Sequence, residues 1–350
     1  MASRMVLSDA DNLATRDDIP WDVFDGKTVV VTGATGLIGT AMVATLLRRS
    51  EVADAALRVV ALVRNPAKAN QIFGSNRNMT VRKWSAESPQ VAESDVPEAD
   101  FIFHCANMTD SSSFVEKPVE TIETTLGGGA GMLQLARRTN AKLILFSTME
   151  TYGSISLDHA VKENEGGFLD AMSLRNSYPE AKRLCEALCT AYASEYGTQA
   201  AVLRLVQTFG PGVQPDDKRV FAEFARDAIA GRDIVLLTDG KKTNSYLYTT
   251  DAISAALFVA AKGTPGTAYN AANDATYCSI LEMASMVAEN FSRGRSKVHI
   301  QLDPSAERRF RKGGTLRLDV SRLQALGWAP SLDLTEMYDR LIKDWQETDD

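Results

Sequence analysis

The chain has 350 residues, of which 45% are hydrophobic and 24% charged, with a formal net charge of −7. That length supports one large domain, or one domain with an appended lobe, and the composition excludes a disordered or fibrous chain. The acidic balance argues against nucleic acid and membrane surfaces as partners, while leaving room for an anionic small ligand held by a few local arginines.

The four cysteines, Cys105, Cys185, Cys189 and Cys278, form no CxxC pair, and the only histidines are His104, His159 and His299. No structural zinc site, and no other metal site, is expected. The N-terminus lacks a hydrophobic signal core, and no apolar run is long enough for a bilayer, so the reducing cytoplasm is the expected location.

Taken in chain order, residues 1–24 read as a polar N-terminal arm, loosely held, with Trp21 and Phe24 tacking its end to the body. Lys27 to Thr32 reads as a buried, β-branched strand. Gly33, Gly36 and Gly39 follow at GxxGxxG spacing, and a helix is expected from Ile38 to Arg49. Further strands are expected at Leu57–Val63, Phe101–Cys105, Lys142–Ser147 and Ala201–Val206. The helical stretches are Val119–Thr139, Ser177–Tyr196 and Val220–Gly231. Alternating strands and helices predict an α/β fold: a Rossmann-type doubly wound parallel sheet with a smaller C-terminal α/β substrate lobe. The expected division is interleaved. Residues 25–207 and 243–265 form the dinucleotide-binding domain, and residues 208–242 and 266–350 form the lobe that closes over the strand ends.

A glycine loop directly after a Val-Val-Val strand is a pyrophosphate cradle. Glycine allows the tight turn and the close approach of phosphate to the helix N-terminus. Thr35, Leu37 and Ile38 complete the loop. At the end of the second strand, where an acidic ribose reader would indicate NAD, Arg64 stands instead. NAD or NADP is expected, with Arg64 leaning toward the 2′-phosphate of NADP.

Tyr178 and Lys182 lie four residues apart, one turn of helix, so they share a face. An ammonium beside a phenol is expected to lower the phenol's pKa toward working pH and make it a base for a sugar or alcohol hydroxyl. Thr148, at the end of the Leu-Ile-Leu-Phe strand, can hydrogen-bond the reacting oxygen. Glu150 can reach the same pocket and take a proton next to a ketone.

These segments resemble the extended short-chain dehydrogenase/reductase family, within its nucleotide-sugar epimerases, dehydratases and decarboxylases. The match runs from about Gly26 to Trp345. It rests on Thr32–Gly39, His104-Cys105-Ala106, Ser147–Gly153, Arg175–Arg183, Phe209–Gly212, Asp217–Phe221, Tyr246–Asp251 and Leu326–Pro330. Arg175–Arg183 and Asp217–Phe221 look most like UDP-glucuronate decarboxylases. The resemblance implies Tyr178 as base and Lys182 as its partner on the nicotinamide ribose. It places Thr148 on the sugar 4-oxygen, Cys105 and Ala106 beside the cofactor, and Gln207 and Arg219 near the nucleotide diphosphate.

Two substrate positions depart from the pattern. Met149 stands where dehydratases carry an acid and decarboxylases a serine. Asn244 stands where decarboxylases carry an arginine for the carboxylate. Thr125 replaces a family asparagine, and the run Gly127-Gly128-Gly129 is unusual in a helix.

The expected function is therefore transient NAD(P)-dependent oxidation at sugar C4 by an epimerase or dehydratase. The alternatives are a UDP-glucuronate decarboxylase, an NADPH-dependent nucleotide-sugar reductase and a non-catalytic dinucleotide sensor. The resemblance implies a homodimer that pairs the Ser177–Tyr196 helix; the apolar stripe Ala181, Leu184, Cys185, Leu188, Cys189 and Tyr192 gives that helix one apolar face, for such an interface or for the core.

Overall fold

The computed structural model describes residues 1–108, 112–155, 157–303 and 316–348. Seven parallel strands form the main sheet: β1 (Thr28–Thr32), β2 (Arg58–Val63), β3 (Met79–Lys83), β4 (Phe101–His104), β5 (Lys142–Thr148), β6 (Ala200–Leu205) and β10 (Ala268–Ala271). Their order is β10-β6-β5-β4-β1-β2-β3. The chain runs outward to one side of β1 and then outward to the other. A crevice therefore opens at the carboxyl ends of β1 and β4, where the order reverses.

β1 is buried along its whole length, because helices cover both faces of a parallel sheet and no position faces water. The flanking helices include α1 (Arg4–Ala14), α2 (Leu37–Val52), α3 (Pro66–Phe73), α4 (Ser113–Glu116), α5 (Pro118–Thr139), α6 (Ser177–Tyr196) and α8 (Thr249–Lys262), while α7 (Val220–Ala230) belongs to the lobe. A second sheet, β11-β9-β7, joins Asn273–Ser279, Thr243–Tyr248 and Gln207–Phe209. A two-stranded piece pairs β12 (Val298–Ile300) with β8 (Ile234–Leu236). Helix α9 (Ile280–Phe291) and the C-terminal helix Leu334–Thr348 pack with α7 around a separate core that includes Phe209, Phe221, Met283 and Tyr338.

Three expectations change. Residues 1–24 are not a loose arm: α1 is capped by Ser3, whose hydroxyl accepts from the Val6 N–H, and it buries Val6, Ala10 and Leu13 against α2. Three apolar residues at helical spacing suffice there because the partner surface is already formed. Within the segment 243–265, β9 pairs with β7 and β11 rather than joining the main sheet. Beyond residue 266, β10 closes the edge of that sheet beside β6. Short strands such as Ala-Tyr-Asn-Ala carry too little pattern to reveal their sheet. The stretch 304–315 of the expected lobe lies outside the described residues.

Candidate active site

The glycine loop joins β1 to α2. Gly33 has a φ of +62°, and a Cβ there would meet the Ala106 backbone at 2.8 Å. A Cβ at Gly39 would stand 2.1 Å from the Gly33 carbonyl oxygen, so only glycine lets the helix sit this close to the loop. Gly36 is the N-cap of α2 and offers no side-chain oxygen, which leaves the first-turn N–H groups of the helix open to an anion.

Thr32 ties the neighbouring strand end in place. Its Oγ1 accepts from the Ala106 N–H at 3.1 Å and lies 2.8 Å from His104 Nδ1. Burial, helped by the Lys182 charge, pushes His104 down to about 3, so the ring is neutral and its Nδ1 can accept the threonine proton. Next to Ala106, the Asn107 side-chain oxygen is buried with no hydrogen-bond partner among the described residues. A glycine cradle, uncapped helix amides and an orphaned buried acceptor beside them fit a bound dinucleotide. Cys105 flanks the cradle, its thiol pKa raised by burial. Leu37, at the start of α2, packs on the lobe core, so the loop faces both parts of the molecule.

Arg64 follows β2 directly, is exposed and has no ion-pair partner among the described residues. Register pairs Val63 with Lys83, which places a second exposed cation beside it.

The first two turns of α6 carry Tyr178 and Lys182, both buried. Lys182 is fully enclosed; its Nζ donates to the Phe146 carbonyl of β5 at 2.5 Å and lies 5.8 Å from the Tyr178 ring centre. Burial pulls Lys182 down to about 8. The expectation for Tyr178 is reversed. Burial first, and then the Glu150 charge, hold the phenol well above its ordinary value, because desolvation of the phenolate outweighs the ammonium. Phe114 stacks on Tyr178 with ring centres 4.5 Å apart.

Thr148 ends β5, and its hydroxyl accepts from the Glu150 N–H at 3.2 Å, opening a 3-10 turn over Met149–Tyr152. Glu150 is not a free carboxylate. Arg175 grips it end-on, with Nη–Oε distances of 2.9 and 3.3 Å, and lies 5.1 Å from the Phe114 ring centre. Arg175 and Phe114 carry no role in the sequence reading. The sequence signal for Arg175 is a lone arginine three residues before the tyrosine.

The lobe residues are placed less directly. Gln207 starts β7 opposite Tyr246, and Asn244 is buried on β9 opposite Cys278. Arg219 is folded onto Asp217 in a bidentate pair, with Nε–Oδ1 3.0 Å and Nη2–Oδ2 2.6 Å, and onto the Phe221 ring. Thr125 is buried on α5 against α6, where its carbonyl accepts from the Cys185 thiol and its hydroxyl has no partner among the described residues. Among the described residues no cluster of His, Cys, Asp or Glu could hold a metal ion, and no helix is long and apolar enough to cross a membrane.

Sheet order, glycine cradle and the Tyr-Lys helix together define a dinucleotide-dependent enzyme of the extended short-chain dehydrogenase/reductase type. Residues 29–272 match the NAD dependent epimerase/dehydratase family, and the chain belongs to it. It is 28% identical, over 91% of its length and 69% of the relative's, to a protein of Arabidopsis thaliana named UDP-glucuronic acid decarboxylase 1. Among solved structures it resembles the UDP-glucose 4-epimerase of Thermotoga maritima in complex with UDP-glucose. The TM-score is 0.77 at 21% identity, over 92% of this chain and all of that one. It also resembles the dTDP-glucose 4,6-dehydratase of Bacillus anthracis with NAD, with a TM-score of 0.75 at 18% identity, covering 92% and 97% of the two chains. Those two likenesses establish the fold.

Proposed function

We propose that the protein oxidises carbon 4 of a nucleotide-linked sugar, acts on the resulting ketone and returns the hydride, as an epimerase or dehydratase. The observation that carries this reading is the position of Tyr178 and Lys182 on the helix beside β5, whose end bears Thr148, next to the glycine cradle. A bound nicotinamide would accept and return the hydride, held by Gly33, Gly36 and Gly39 at its pyrophosphate and by Lys182 at its ribose. Thr148 orients the sugar 4-oxygen, and Tyr178 takes its proton. The raised pKa leaves the Tyr178 phenolate scarcely populated, so positive charge at a bound nicotinamide and at Lys182 must stabilise it. Glu150 is the acceptor for a C5 proton; the Arg175 fork occupies only part of its lone-pair capacity. Met149 supplies no acid for elimination, which favours epimerisation over loss of water. Gln207 and Arg219 meet the diphosphate, the latter after exchanging Asp217 for phosphate oxygens.

A second reading is decarboxylation of UDP-glucuronate. It is favoured by the named Arabidopsis relative and by Arg175, a cation beside the reacting phenol that can meet a carboxylate where Asn244 cannot. Incubation with UDP-, dTDP-, GDP- and CDP-sugars, including UDP-glucuronate, separates the readings by mass and NMR. A new isomer supports the epimerase, loss of water the dehydratase and loss of carbon dioxide the decarboxylase. Net NADPH consumption would instead indicate a reductase, and cofactor binding without any conversion would indicate a sensor. Tyr178→Phe is expected to cut turnover by about 10²–10⁴-fold without weakening dinucleotide binding.

For the cofactor, Arg64 with Lys83 beside it supports NADP over NAD. Arg64→Asp is expected to reverse the ratio of the two dissociation constants; an unchanged ratio would remove Arg64 from this role. A homodimer is supported by the exposed apolar residues Val119 and Ile122 on α5 and Leu184 on α6. Ala181, Cys185 and Cys189 of the expected stripe are instead core in the single chain. Light scattering at micromolar concentration decides it. Four unpaired thiols fit a reducing compartment, the cytoplasm.

A further inference from the structure

One turn beyond Lys182, Glu186 is buried under the catalytic strand end. It receives the Ser147 hydroxyl at 2.5 Å, and Ser147 is the residue before Thr148. Arg204, the partner of Ser147 in the β5–β6 register, binds the same carboxylate through Nε at 3.1 Å and Nη2 at 2.7 Å. The remaining Arg204 nitrogen donates to the Tyr152 hydroxyl at 2.9 Å, and Tyr152 donates to Asn270 of β10 at 2.5 Å. Tyr152 closes the 3-10 turn that contains Glu150. One carboxylate therefore ties together the helix carrying Tyr178 and Lys182, the strand end carrying Thr148 and, through Arg204, the turn carrying Glu150.

We propose that Glu186 is a positioning residue of the reaction, fixing Thr148 against α6 through Ser147 and holding the charge of Lys182 through its own. The inference rests on the C4-oxidation reading for its kinetic part only. The charge part is independent of substrate. The groups facing Lys182 are Cys185, Glu186 and Cys189 on α6, Cys105 and His104 at the end of β4, Tyr178 on its own helix and the Phe146 carbonyl of β5. His104 is neutral and the thiols have raised pKa values; among these groups the Glu186 carboxylate, one turn along the same helix and paired with Arg204, is the remaining acid that favours the charged Lys182. That carboxylate opposes the burial that pulls Lys182 down.

The test separates tether from charge. Ser147→Ala removes the tether and keeps the charge. It should lower kcat roughly tenfold with KM unchanged, and leave the alkaline limb of the pH profile in place, since small displacements of a reacting group are costly. Glu186→Gln keeps an acceptor for Ser147 but loses the charge, and should move the alkaline limb to lower pH. Both are assayed with added dinucleotide on the UDP-, dTDP-, GDP- or CDP-sugar that wild-type protein converts.

If wild-type protein converts no donor of the UDP-, dTDP-, GDP- and CDP-sugar panel, the C4 reading fails and the charge part is still read from stability. Thermal unfolding from pH 6 to 10.5 is then compared for wild type, Lys182→Met, Glu186→Gln and the double variant. The pH dependence contributed by Lys182 should shift to lower pH when Glu186 is replaced. An unmoved alkaline limb and an unmoved Lys182 profile in Glu186→Gln would overturn the charge role. Wild-type kcat in a folded Ser147→Ala would overturn the tether.

Discussion

Lys182 is fully buried and its pKa falls to about 8 from an ordinary 10.5. Between those values the unfolded chain holds a proton that the folded chain has shed, so stability rises with pH across that window and is lost as pH falls toward 8. Below it, burying the ammonium costs on the order of 3 kcal/mol, partly offset by the bond to the Phe146 carbonyl, worth about 1 kcal/mol. Lys182→Met, of similar volume, is therefore expected to stabilise the cofactor-free protein by about 2 kcal/mol at pH 7. The advantage should shrink as pH approaches 10.5, and activity should be lost. Urea unfolding at a series of pH values checks this; a variant no more stable than wild type at pH 7 would mean that the lysine is not strained by burial. The sequence placed Lys182 on the correct face beside Tyr178, but the reversed sign at Tyr178 follows from enclosure by Phe114 and β5, which one-turn spacing does not encode.

At the scale of elements, the glycines of α5 have a packing reason. A Cβ at Gly129 would stand 2.9 Å from Cys185 Sγ on α6, and one at Gly131 would stand 2.3 Å from the Pro89 carbonyl oxygen. That carbonyl is fixed because Trp84 Nε1 donates to it at 3.1 Å. Alanine at Gly131 would gain about 1 kcal/mol of helix propensity and lose about 1–3 kcal/mol to overpacking against backbone. Gly131→Ala is expected to lower the urea midpoint despite improving the helix, and a raised midpoint would show that the Pro89 loop yields freely. The sequence announced Gly127-Gly128-Gly129 as odd for a helix and did not single out Gly131. The packing reason lies with partners distant in sequence, Cys185 of α6 for Gly129 and the Pro89 loop for Gly131.

For the whole molecule, α1 acts as a strap. Asp9 is buried and accepts from the Tyr248 hydroxyl and from Arg340 of the C-terminal helix, the latter at 2.5 Å. At the other end, the Ala2 N–H donates to the Ile72 carbonyl of α3 at 3.0 Å. The first 15 residues thus join the main sheet's helices to β9 and to the end of the chain. Asp9→Ala would leave a buried hydroxyl and a half-buried guanidinium without their acceptor, at a cost of about 2 kcal/mol. Calorimetry should show a lower Tm, and deletion of residues 1–15 a larger loss, because Val6, Ala10 and Leu13 leave the core with it. An unchanged Tm in both would remove the strap.

The sequence alone was enough for the alternating architecture, the glycine cradle after β1 and the Tyr178–Lys182 helix. Each is written in local periodicity or fixed spacing, and local sterics decide such features. It was also enough to set Met149 and Asn244 apart from the family pattern. Only the tertiary structure decided that α1 is core, that β10 rather than β9 completes the large sheet, that Arg175 holds Glu150, and that Arg219 rests on Asp217. These depend on partners distant in sequence, and on the desolvation that those partners impose. No run of neighbouring residues specifies either.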